Sequence, residues 1–379
     1  MREEAGHSPR LLFVVSDDFG ELAKALTFTL GTSLQPRLLL PERLFAANRE
    51  SLPYPVACYR TTYDVVEAVE RERPDLIGLF SGYLYALNGF FTLDDVEALV
   101  RGLQGRGARL LISDPFLGAL ARLDDSTFSD RHPRKAWLTE HFARLVRVFA
   151  GVPHLYPVPV DGVKRPRGVS FFNPSIVARR TEIVGDLSRR IAADPGRPRW
   201  LFILSTEDYG CQVGLHERAR FGEMLRDMLR QSVRAGRQPL LVAPRACAEA
   251  LERADPSIRG LTILPPCDHA TFLACLLEAE YAFYWNAHAG SIPIRVANSL
   301  PVFLFDLGHL VRTIPSLGGA GAEWLFRDAE LPLLGSAADL SLEHLAPLAA
   351  RQVEMLEAAR AHYRRAPPPE ELLAALTAE

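Results

Sequence analysis

The sequence predicts an α/β chain made of two Rossmann-like, doubly wound domains, followed by helices at its C-terminal end. Three observations lead there. Short apolar runs alternate with amphipathic stretches through both halves of the chain. That alternation is interrupted once, by a Pro/Gly-rich interval at 151–175. The length, 379 residues, suits two domains of roughly 150–200 residues each.

The elements follow in order. RLLFVVS (10–16) reads as a strand, then polar DDFGE and a helical stretch around 21–31. PVACYR (55–60) is strand-like and precedes a helical pattern at 62–73. DLIGLFSG (75–82) and ARLLISD (108–114) are strands on either side of the helix TLDDVEALVRGLQGRG (92–107). Thr92 with Asp94 and Asp95 suits a helix start, because a hydroxyl and acids favour the exposed N–H groups there. Gly105 and Gly107 suit its stop. Strands alternating with helices of this length imply parallel βαβ units.

The interval 151–175, VPHLYPVPVDGVKRPRGVSFFNPS, reads as domain edge and linker. After a helix near 176–193 come five strand candidates: WLFILS (200–205), PLLVAP (239–244), LTILPP (261–266), YAFYW (281–285) and PVFLF (301–305). Helical patterns at 216–235, 245–253, 269–278 and 292–299 lie between them. A long amphipathic helix near 345–363 and a short one after the prolines at 367–369 complete the chain. The expected domains are 1–175, 176–345 and a helical segment 346–379.

Composition narrows the function. Lys plus Arg number 43 and Asp plus Glu 46, a formal net charge of −3, so no global charge argues for nucleic acid. No run approaches the ~20 apolar residues of a membrane span. The start, MREEAGHSPR, does not read as a signal peptide. Five cysteines without a CxxC pair and ten scattered histidines suggest reduced thiols, a cytoplasmic location and no metal site.

Candidate site residues sit where apolar runs end, since ligands of open α/β sheets bind outside the carboxyl ends of the strands. The stretch NAHAGSIPIR (286–295) follows a strand candidate. Pro293 is tolerated only in a first helical turn, so a helix must begin close to Ser291. A helix start attracts phosphate. Gly290 permits close backbone approach, and Arg295 lies about one turn on. The plainer reading makes Ser291 a cap and Arg295 a solvated residue. Asp17, Asp18 and Asp114 each follow a strand and are candidate general bases; each also suits a cap or turn. In STEDYGCQVGLHER (205–218), Ser205, Thr206 and Gly210 can line a diphosphate and Arg218, with Arg220, can neutralise it. His288 and His309 occupy loops of the same unit, where a structural role is equally open.

The passage AEYAFYWNAHAGSIPIRVANSLPVFLFD resembles the donor-binding region of GT-B-fold glycosyltransferases, with Gly290, Ser291 and Pro301 on matching positions. The run before it, LTILPPCDHATFLACLLEAEYAFYW, is similar to that superfamily's preceding element, whose loop, here including Pro266 and His269, lies against the nucleotide base. The resemblance implies two domains facing a cleft, with C-terminal helices that can cross back to the first domain. It implies a metal-independent glycosyltransferase that takes a nucleotide-sugar donor and needs no separate cofactor. The acceptor, whether glycan, lipid, peptide or small molecule, is left open. Two departures stand out: Ile294 holds the position of a donor-binding Glu, and SDDFGE (16–21) replaces a glycine-rich loop. A nucleotide-sugar 2-epimerase of the same fold and a non-catalytic two-domain binding protein are the alternatives.

Overall fold

A computed structural model describes residues 9–378 apart from 88–90, 125, 131–133, 161–167, 186–196, 255–261, 265–267, 306–314, 328 and 330–332. The chain forms two compact units, one of residues 1–123, 136–175 and 364–379, the other of 124–135 and 176–363.

The first unit is built on β1 (Leu11–Val15), β2 (Arg37–Pro41), β3 (Val56–Tyr59), β4 (Leu76–Phe80), β5 (Arg109–Ser113), β6 (His154–Tyr156) and β7 (Gly168–Ser170). Its helices are α1 (Phe19–Thr29), α2 (Glu42–Asn48), α3 (Thr62–Glu72), α4 (Gly82–Tyr85), α5 (Leu93–Gln104) and α6 (Lys135–Val148). The seven strands are parallel, in the order β3-β2-β1-β4-β5-β6-β7. All five residues of β1 and of β4 are buried. Strands covered on both faces read as continuous apolar runs. Thr61 and Thr92 close capping boxes with Asp64 and Asp95. The left-handed residue after α5 is Gly107, at φ 75°, the conformation glycine adopts without steric cost.

The interval 151–175 is more than a linker: it supplies β6 and β7, three residues each, to the edge of the first sheet.

Two short helices, α7 (Ser175–Ala178) and α8 (Arg180–Gly185), lead to the second sheet. Its strands are β8 (Arg199–Ile203), β9 (Gln238–Val242), β10 (Thr262–Leu264), β11 (Tyr281–Tyr284), β12 (Val302–Phe305) and β13 (Leu333–Leu334), parallel in the order β10-β9-β8-β11-β12-β13. The helices are α9 (Thr206–His216), α10 (Arg218–Arg234), α11 (Arg245–Ala254), α12 (His269–Glu278), α13 (Ile292–Ala297), α14 (Pro315–Ala320), α15 (Leu342–Met355) and α16 (Glu357–Tyr363). One face of this sheet is paved with aromatic rings at every second residue, Trp200, Phe202, Tyr281, Phe283, Phe303 and Phe305. Phe202 and Phe283 stack at 4.7 Å. Alternation along a strand puts such residues on one face.

The tail α17 (Pro369–Ala378) buries Leu372, Leu373 and Leu376 in the core of the first unit. Glu370 accepts hydrogen bonds from the Ser33 backbone and hydroxyl at 2.8 and 3.0 Å. The helices α15 and α16 belong to the second unit.

Candidate functional site

Each sheet has one place where strand order reverses. In the first it lies between β1 and β4, in the second between β8 and β11. Crevices at such switch points are where doubly wound sheets bind ligands. The turns following those four strands hold much of what the sequence singles out.

In the first unit, β1 runs into Ser16, Asp17 and Asp18. Asp18 is spent on structure: it is the N-cap of α1, its Oδ1 accepting the Glu21 N–H at 3.1 Å. Asp114 is also structural. It is 2% exposed, and its two carboxylate oxygens accept the N–H groups of Phe116 and Gly118 at 2.8 and 2.9 Å. Those bonds fix a turn. Asp17 differs. Its side chain is 28% exposed, with Oδ1 held by Arg43 Nε at 3.1 Å. Arg43 Nη2 donates to the Asp17 carbonyl at 3.0 Å. The second carboxylate oxygen of Asp17 has no protein partner among the described residues.

Several polar groups there were not singled out from sequence. Glu21 and Lys24 form a buried ion pair on α1 at 2.8 Å, their side chains 5% and 6% exposed. The Ser113 hydroxyl donates to Glu21 Oε2 at 2.6 Å and accepts the Ser81 N–H at 3.1 Å. Ser81 follows β4 in a left-handed conformation, φ 48° and ψ 71°. The hydroxyls of Ser16 and Ser81 are buried with no hydrogen-bond partner among the described residues. An unmet buried polar group costs about 1–3 kcal/mol, and strained backbone tends to gather at functional sites. The signal for Glu21 and Lys24 was an i,i+3 pair of opposite charges in an otherwise apolar helix.

The second switch point departs further from expectation. The helix after Ser291 begins at Ile292, with Pro293 in its first turn. It has only six residues, and Ser291 makes no capping hydrogen bond. Instead its hydroxyl donates to Tyr284 at 3.2 Å, and Ser291 is 7% exposed. Arg295 does not meet a ligand. It is fully buried, and its guanidinium donates to the carbonyls of Leu276, Ala279, Glu280 and Pro301 at 2.7–3.1 Å. A cation on the last carbonyls of α12 satisfies groups that the helix leaves open. Burial pulls the Arg295 pKa down to about 10, so it stays charged near neutral pH. Arg295 is thus a core staple between α12 and the start of β12.

His269, the first residue of α12, is 8% exposed. Burial pulls its pKa down to about 4, so the ring packs neutral near pH 7. His288 is half-buried; its N–H bonds Asn286 Oδ1 at 2.7 Å, and its ring lies against Gly321, where a Cβ would meet Nε2 at 2.9 Å. Pro266 and His309 lie outside the described residues.

Ser205 caps α9 in a box with Asp208. That puts a carboxylate at the mouth of α9, which disfavours an anion there. Thr206 and Gly210 are exposed on α9. The cations lie at the next helix. Arg218 opens the 17-residue α10, whose first turn has no acid and whose N-cap makes no side-chain bond. Arg218 and Arg220 are exposed. Phe221 places that helix start: its ring lies 6.0 Å from Trp285 and 6.2 Å from Tyr209. Trp285 directly follows β11. The residue between α9 and α10, Glu217, has φ 63° and ψ 150°, a region other residues than glycine rarely occupy.

No protein-family model matches the chain, and no curated protein matches it in sequence. Solved structures do match in fold. UDP-GlcNAc 2-epimerase from Neisseria meningitidis, bound to UDP-GlcNAc, aligns with a TM-score of 0.56 and 10% identity over 98% of this chain and 100% of that one. The wall teichoic acid polymerase TagF aligns with a TM-score of 0.56 and 10% identity over 97% and 87%. The glycosyltransferase SsfS6 of Streptomyces sp. SF2575, complexed with thymidine diphosphate, gives 0.52 and 11% over 98% and 100%. The chain has the GT-B fold, with both Rossmann-like units present. At these identities the likeness is one of fold.

Proposed function

We propose that this chain is a sugar-nucleotide enzyme, and that it transfers a sugar from a nucleoside-diphosphate donor to an acceptor hydroxyl. The observation that carries the reading is the opposite charge at the two switch points. The first offers Asp17, a half-exposed carboxylate with one unpartnered oxygen. The second unit has Arg218 and Arg220 exposed at the start of a helix whose N-cap makes no side-chain bond and whose Phe221 ring lies 6.0 Å from that of Trp285.

The chemistry follows from those charges. Asp17 accepts the proton of the acceptor hydroxyl. The acceptor oxygen forms a bond to the anomeric carbon while the bond from that carbon to the diphosphate oxygen breaks. The electron pair leaves on the nucleoside diphosphate. Arginines and helix N–H groups aimed at that diphosphate stabilise charge that grows in the transition state. Neutralisation by arginine needs no metal.

The 2-epimerase reading draws on the fold it shares with the Neisseria enzyme, and it predicts turnover of the donor's sugar with no acceptor present. A purely binding protein predicts neither reaction. The test is thermal-shift screening with UDP, GDP, CDP, ADP and dTDP, then product analysis with the matching sugar nucleotide. A ligand at 100 times its Kd stabilises by roughly 2.7 kcal/mol. Stabilisation by a diphosphate plus acceptor-dependent release of that diphosphate supports transfer; epimer formation without acceptor overturns it in favour of the epimerase.

A further inference from the structure

The buried Glu21–Lys24 pair invites a physical question. Removing two charges from water is expensive, and a buried ion pair seldom stabilises a fold more than apolar residues of the same volume. The neighbours Leu22, Ala25 and Leu26 already bury α1 against the core. Stability alone therefore does not account for an acid and a lysine at 21 and 24.

Connectivity does. Glu21 is tied at both ends. Its N–H donates to Asp18 Oδ1 at 3.1 Å, which sets the first turn of α1. Its carboxylate accepts from Lys24 at 2.8 Å and from the Ser113 hydroxyl at 2.6 Å. Ser113 ends β5, and its hydroxyl accepts the N–H of Ser81, just past β4. The Ser16 N–H donates to the Phe80 carbonyl at 2.9 Å. Tyr59 and Tyr85 donate to the carbonyls of Val15 and Val14 at 2.6 and 2.9 Å. The end of β1 and the turn bearing Asp17 are thus held by Phe80, Tyr59 and Tyr85, and the first turn of α1, which follows Asp17, is tied to the ends of β4 and β5 through the Glu21 carboxylate and Ser113.

We propose that Glu21, held by Lys24, is a positioning residue: through its carboxylate and Ser113 it anchors the first turn of α1, and with it the turn that presents Asp17. The proposal rests on Asp17 acting as the acceptor base. Its chemical logic is that hydrogen bonds to a charged group are shorter and more directional than apolar packing, so they set an angle where packing would only fill a volume.

The test uses the full chain and the double variant E21M/K24M, which removes both charges at similar volume. Its melting temperature is expected to equal or exceed that of the parent. Amide exchange of residues 16–21 is expected to quicken at least tenfold, and turnover to fall about 10–100-fold with donor affinity unchanged. S113A is expected to give a smaller loss that does not add to that of E21M/K24M, because both act through one network. E21Q/K24M, which keeps an acceptor for Ser113, is expected to recover most of the turnover. A lowered melting temperature with unchanged exchange at 16–21 overturns the proposal and makes the pair structural. Full turnover in E21M/K24M beside an inactive D17N also overturns it, while leaving the transferase reading intact. If no sugar nucleotide is turned over by the parent, the exchange measurement still decides whether Glu21 holds the turn, and it is the transferase reading that falls.

Discussion

The two switch points place their charged residues in opposite ways. At the first, an acid predicted from its position after a strand, Asp17, stays half-exposed at the end of β1. At the second, an arginine predicted one turn into a helix, Arg295, is pulled wholly into the core and spent on four carbonyls. The exposed arginines belong to another helix, α10. Adjacency to a strand end is a local property. Whether a side chain turns to solvent or to the core depends on what packs beside it, which for Arg295 means the end of α12 and the start of β12.

The contrast can be broken most severely at Asp17. Asp17→Asn is expected to lower turnover about 10²–10⁴-fold while nucleotide affinity holds, read by steady-state kinetics beside calorimetry. Asp114→Asn should instead act on stability, because that carboxylate closes a turn. Arg295→Met comes next. It leaves four buried carbonyls without their donor and is expected to destabilise the second unit by about 4 kcal/mol, measured by denaturant unfolding. An Arg295→Met protein that unfolds like the parent but has lost nucleotide binding would return this residue to the site.

Protonation of His269 supplies a smaller effect. Its pKa is about 4 in the fold against an ordinary 6.5, so the unfolded chain takes up a proton first as pH falls. The contribution of the neutral, buried ring is complete above pH 6.5 and is lost between 6.5 and 4, in all about 3 kcal/mol. Urea unfolding of the parent and His269→Gln across that range should show the difference shrinking as pH falls. Smallest is Ser291→Ala, expected to cost about 1 kcal/mol of stability through its bond to Tyr284 and to leave nucleotide affinity unchanged.

Much of the architecture was legible because β1, β4, β8 and β11 are covered on both faces and read as unbroken apolar runs. What escaped had weaker local signals. The strand β2 and helix α2 share the run RLLLPERLF, where Pro41 ends one element and caps the next. The strands β6 and β7 are three residues long inside a Pro/Gly-rich interval. The helix α9 carries Gly210 and Gly214 and reads as loop, since glycine lowers helix propensity. Its junction with α10 turns on the backbone of Glu217, whose sequence context gives no sign of φ 63°. Asp17 and Arg218 could be singled out as candidates from position alone, whereas the Glu21–Ser113–Ser81 network joins residues 21, 81 and 113 and exists only once the sheet is assembled.

The most direct measurement is calorimetric titration of UDP, GDP, CDP, ADP and dTDP into the parent chain and into R218A/R220A. The account predicts that at least one diphosphate binds the parent and that the double variant binds it at least about tenfold more weakly, a charge-assisted hydrogen bond being worth roughly 1.5–3 kcal/mol, with melting temperature unchanged. Binding of none of the five, or equal binding by parent and variant, would contradict it.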